Sequence, residues 1–167
     1  MIRRFGFVFP LLAALFLAGC GSPPYVYHFV PGETAIVLNG HAIAPPLAPE
    51  EVRTAIDAGN RIAGLPYKWG GGHQRSIDTG YDCSGAASFV LMAINRLDEP
   101  TTAKALRDYG VPGPGRWITI YARRDHVFLV VAGLRFDTGW IHTSKGPHWT
   151  TESRPTDGSV IRHPQGL

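Results

Sequence analysis

Cys83, in Tyr81-Asp82-Cys83-Ser84-Gly85, is one of two cysteines in the chain; the other, Cys20, directly follows the N-terminal leader. Asp82 reads as a helix N-cap. Ala86, Ala87, Phe89, Val90, Leu91, Ala93, Ile94 and Leu97 read as the apolar body of the helix that follows. The thiol therefore falls in a first helical turn, where the macrodipole and unpaired N–H groups stabilise a thiolate over a thiol. The competing reading is a small buried hydrophobe; the cap, the dipole and the flanking glycines argue against it. A thiol placed in this way is equipped for nucleophilic attack, provided that an imidazole takes its proton and a polar group orients the imidazole.

Of the seven histidines, His126 begins a run, through Val131, that reads as a strand entering the core. Ala132-Gly133 reads as a tight turn and Leu134 to Asp137 as the returning strand. A two-residue turn pairs Val131 with Leu134 and Phe128 with Asp137. Paired residues share a face and alternate residues return to it, so His126, Phe128 and Asp137 point the same way and Thr138 the other. Asp137 is the first choice to orient His126, His142 the second and His148 the third. His28, His41, His73 and His163 read as packing, surface or loop residues. No histidine pair has His-x-x-x-His spacing beside a Glu, and Gly70-Gly71-Gly72 lacks the Lys-Ser/Thr of a phosphate loop. No metal and no cofactor are expected.

These residues need elements to hold them. Glu50 to Ala63 has helical apolar spacing, with Pro49 before it, acidic residues in its first turn and Gly64 at its end. It is expected to pack against the Cys83 helix. Upstream, Tyr25 to Val30 reads as extended, and Thr34–Leu38 with His41–Ala44 as a hairpin turned at Asn39-Gly40. Downstream come a short helix within Thr101–Tyr109, an irregular loop over Val111–Gly115, a strand over Trp117–Tyr121 and a last strand over Val160–Arg162. The chain divides into a leader (1–19), a tether with the hairpin (20–49) and one domain (50–167).

Arg3 and Arg4, the apolar run from Phe5 to Leu17, and Leu17-Ala18-Gly19-Cys20 form a secretory leader ending in a bacterial lipobox. Cys20 is expected to be acylated and to become the first mature residue. Localisation in the cell envelope follows: the outer membrane if the cell has one, otherwise the outer face of the plasma membrane. The formal charge of +3 includes Arg3 and Arg4, so +1 remains for the rest. With no basic run interleaved with aromatics, a nucleic-acid partner is excluded. A monomer is expected.

Pro66-Tyr67-Lys68-Trp69-Gly70-Gly71, followed by Tyr81-Asp82-Cys83-Ser84-Gly85, resembles the NlpC/P60 family of cell-wall cysteine peptidases. The similarity runs from about Glu50 to about Asp137. The resemblance implies an α+β, papain-like fold with helices packed on an antiparallel sheet. It implies Cys83 as nucleophile and His126 as base, since the family places its histidine in a His-Val pair at a strand start. The family's usual histidine on the returning strand is absent, and Phe128-Leu129-Val130 replaces its glycine and aromatic residues. The backbone N–H of Cys83, with the Tyr67 hydroxyl, would stabilise the oxyanion, and Asp82 and Ser84 would border the substrate. The expected substrate is a peptidoglycan stem peptide, cut beside D-glutamate or diaminopimelate. An amidase or acyl transferase on the same fold, or an inactive wall-binding lipoprotein, are the alternatives.

Overall fold

A computed structural model describes residues 22–139 and 145–167. The hairpin forms as expected, from β1 (Ile36–Leu38) and β2 (His41–Ile43), with Asn39 and Gly40 both at positive φ in the turn. Helix α1 spans Glu50–Ile62 and buries Val52, Ala55, Ile56, Ala58, Gly59 and Ile62. Gly59 is needed there, because a Cβ would run into the Trp149 ring. Helix α2 spans Cys83–Ala93 and packs on α1. It stops before the expected Leu97, because Asn95 turns left-handed (φ 55°). Helix α3 is one turn, Ala103–Leu106, within the span expected to hold a short helix; Thr102 caps it by accepting from Ala105 N.

The remaining strands are β3 (Val111–Pro112), β4 (Ile118–Ala122), β5 (Val127–Val131), β6 (Leu134–Asp137), β7 (His148–Thr150) and β8 (Val160–His163). They form one antiparallel sheet in the order β3-β8-β4-β5-β6-β7. The fold is thus α+β. Two strands were not expected: β3, where a loop was read, and β7. Val127, Leu129, Val131, Leu134 and Phe136 are almost fully buried and form the core with α1 and α2. Burying each such side chain contributes roughly 1.5–3 kcal/mol. Among the described residues no helix is long and apolar enough to cross a membrane.

The segment before α1 is bound to this body. Tyr25 bridges to Arg154, and Thr156 Oγ1 donates to the Pro23 carbonyl. Ala35 N donates to the Ala132 carbonyl, and the Asn60 side chain bonds both backbone groups of Ala42. Residues 22–49 therefore sit as a fixed cap at the β5–β6 turn rather than as a loose tether.

Candidate active site

The thiol is positioned by close backbone packing. Gly85, in the first turn of α2, lies against Gly71, and a Cβ on Gly85 would clash with the Gly71 carbonyl. Asp82 N donates to that same carbonyl at 3.2 Å. The Asp82 carboxylate caps the helix, accepting from Gly85 N at 2.7 Å and, on its other oxygen, from Gly70 N at 3.0 Å. The glycine run is thus the surface on which α2 starts. Cys83 itself is half-buried, and its N–H, at the first helical position, has no intrahelical acceptor.

His126 ends the four-residue turn from β4 to β5, one residue before the strand expected to contain it. Its carbonyl accepts from Arg123 N at 2.7 Å. The register pairs Val131 with Leu134 and Leu129 with Phe136, as the two-residue turn required; Ala132 and Gly133 both have positive φ. Asp137 consequently reaches His126: the imidazole Nε2 lies 2.9 Å from Asp137 Oδ1. The same imidazole lies close enough to Cys83 for the thiol's hydrogen bonding and charge to raise its pKa. His126 thus interacts with both the Asp137 carboxylate and the Cys83 thiol.

Asp137 is held on every side. Thr138 N donates to Oδ1 at 2.8 Å, Arg154 Nη1 to Oδ2 at 2.7 Å, and Arg135 Nη1 also to Oδ2. Both guanidiniums lie over the Phe128 ring, which stacks on Tyr121. The phenyl group thus seats the two cations that neutralise Asp137. Burial alone would push the Asp137 carboxyl up, but the His126 hydrogen bond and the charges of His126, Arg154 and Arg135 hold it below its ordinary 3.8. Burial likewise pulls His126 down, yet the hydrogen bonds and charges of Asp137 and Cys83 outweigh it and raise the imidazole from 6.5 to about 9. At neutral pH the imidazole carries a proton beside the thiol.

Tyr67, Trp69, Asp82, Cys83 and Ser84 line a cleft of about 230 Å³, with Arg124 and Asp125 on its wall. Burial first, then Cys83 and Asp82, raise the Tyr67 phenol above its ordinary 10.0. Ser84 Oγ donates to Asp82 Oδ1 at 3.0 Å. His73, read from the sequence as a loop residue, lies 3.2 Å from both Asp82 oxygens. The Asp82 carboxylate is therefore occupied, and a substrate amine reaching it would displace His73. Nothing in the spacing of His73 marked it. Arg135 was legible in principle, as a charge two residues from Asp137 on a strand that is otherwise buried. Of the other candidates, His148 stands opposite Asp137 on β7, but its Nδ1 is 2.9 Å from the Gly146 carbonyl. His142 and Cys20 lie outside the described residues. Compared with known proteins, the chain matches no family model, no curated protein and no solved structure.

Proposed function

We propose that this chain is a cysteine peptidase of the bacterial cell wall, a papain-like hydrolase of the NlpC/P60 kind. It would be anchored by a lipid on Cys20 and would cut peptidoglycan stem peptides beside D-glutamate or diaminopimelate. The observation that carries the reading is the line Cys83–His126–Asp137, with the thiol in the first turn of α2. The paired motifs around Tyr67 and Cys83 supply the substrate class.

With the proton on His126, the Cys83 sulfur attacks the scissile carbonyl carbon. A C–S bond forms, and the carbonyl π electrons move to oxygen, where the free N–H of Cys83 receives the charge. His126 gives its proton to the leaving nitrogen, the C–N bond breaks and a thioester remains. The now neutral His126 takes a proton from water, which attacks the thioester, releasing the new carboxyl end and returning the thiolate–imidazolium pair. Asp137 stays ionised throughout and keeps the imidazole oriented, as two arginines and a backbone N–H fix its own oxygens.

The test is a digest. The lipid-free protein (residues 22–167) is incubated with purified peptidoglycan and with soluble muropeptides, and the products are identified by mass spectrometry, with Cys83→Ala and His126→Ala in parallel. Stem-peptide fragments that vanish in both variants are expected. Cuts between glycan and peptide would make it an amidase. Folded wild-type protein that releases nothing would contradict the proposal.

A further inference from the structure

Seven of the nine exposed large apolar side chains among the described residues fall between Val26 and Leu47. On the hairpin, Val37 and Ala42 turn inward, while Ile36, Leu38 and Ile43 turn out. Ile36 and Ile43 are cross-strand partners, and Leu38 shares their face. Leu47 continues the patch to the preceding turn, where its side chain lies against Gly32. Phe29 is 58 % exposed and Leu47 62 %. Exposed apolar side chains gathered in one short segment mark a docking face.

Its composition and place indicate the occupant. Residues 22–49 contain one formally charged side chain, Glu33, although charged residues make up 17 % of the chain. The exposed polar neighbours of the patch are few: His28, Glu33, Asn39 and His41, the last on the same outward face as Leu38. The patch begins six residues after Cys20, and six residues span at most about 20 Å. We infer that the outer face of the β1–β2 hairpin, with Phe29 and Leu47, beds into the apolar boundary of a lipid bilayer. The choice of bilayer rests on the lipid-anchor reading of Cys20.

The fold gives this contact a consequence. The hairpin caps Ala132 and Gly133, and the Tyr25 hydroxyl donates to the Gly133 carbonyl at 2.8 Å. His126 lies at the opposite end of β5, about 20 Å away at about 3.3 Å per residue. A bilayer at the hairpin therefore leaves His126, and with it the Cys83 site, at the end of β5 remote from the lipid. Because 22–49 is bound to the body by backbone pairing, that orientation is fixed rather than averaged over a tether. With a single formal charge in the segment, binding should depend little on salt or on the anionic lipid fraction.

All the described strands, helices and core residues lie within residues 22–167, so this span is the protein to test. Flotation with vesicles of phosphatidylethanolamine and phosphatidylglycerol compares it with Leu38→Ser/Ile43→Ser, which alters outward side chains only. A thermal melt checks the fold of the variant. The wild type is expected to float at low and high salt, with a partition falling about tenfold or more in the variant. Wild-type protein left at the bottom of the gradient would overturn the inference. So would a concentration-dependent dimer that the same variant abolishes, since the occupant would then be a second copy. Fatty-acid labelling of the full chain, against Cys20→Ala, tests the anchor separately: an unlabelled wild type removes the anchor reading, while flotation still decides the surface.

Discussion

His126–Asp137 and His73–Asp82 place the same two side-chain types 2.9 and 3.2 Å apart, both close to the first turn of α2. The distances barely separate them; the surroundings do. Asp137 is sealed from solvent and is kept ionised by two arginines, so its charge acts on the imidazole in a medium that screens little. Asp82 divides its oxygens between the N–H groups of Gly70 and Gly85 and the Ser84 hydroxyl, and so spends its charge on holding the helix start. Cys83 adds its own hydrogen bonding and charge to what raises His126. What separates the two imidazoles is the deeper burial of the Asp137 carboxylate and the nearness of His126 to the thiol.

The two pairs should separate most widely in turnover. His126→Ala is expected to lower kcat/KM on stem peptides by about 10³-fold or more, the usual cost of losing a member of a nucleophile–base unit. Asp137→Asn keeps the shape and removes the charge. It is expected to lower kcat by on the order of 10²-fold or more. Because it leaves two buried guanidiniums without their anion, it should also destabilise the protein by about 3 kcal/mol or more, read from denaturant unfolding. An Asp137→Asn protein of wild-type stability and rate would break the distinction.

pH sharpens the comparison. His126 is raised from 6.5 to about 9, so its contribution to stability is complete below about pH 6.5 and is lost as the pH rises through about 9. Asp137 is lowered, so its contribution holds above 3.8 and is lost as the pH falls further. The unfolding midpoint should therefore fall on the alkaline side, and that fall should vanish in His126→Ala. Smaller effects belong to the second pair. Asp82→Ala is expected to cost about 1–2 kcal/mol as a lost cap. His73→Gln should leave kcat/KM within about threefold of wild type, under 1 kcal/mol in barrier. If His73→Gln matched His126→Ala, the pairs would be equivalent and the assignment of the base would fail.

Much of the line through Cys83 could be read from the chain, because each part depends on local rules. Asp82 three residues before Gly85 makes a cap, Ala132-Gly133 makes a two-residue turn, and strand alternation then brings Asp137 to the face of His126. Arg154, His73 and β7 could not be read in this way. Arg154 reaches Asp137 through a bridge to Tyr25, 129 positions earlier in the chain, and no periodicity encodes such a pairing. His73 meets Asp82 because a glycine loop folds back on a helix start, where backbone freedom leaves no pattern. The apolar run before α1 was read as a tether and hairpin; its exposed face emerged only once Ala35, Ala42 and Ala48 were seen to fill the inward side.

The central claim is that His126, held by Asp137, activates Cys83. The most direct measurement is the rate at which iodoacetamide alkylates Cys83 in the native protein across neutral pH, beside free cysteine and the His126→Ala variant. The expected result is a native thiol that reacts faster than free cysteine at neutral pH and loses that advantage in His126→Ala. A thiol that reacts only once the protein unfolds, or one indifferent to His126, would contradict it.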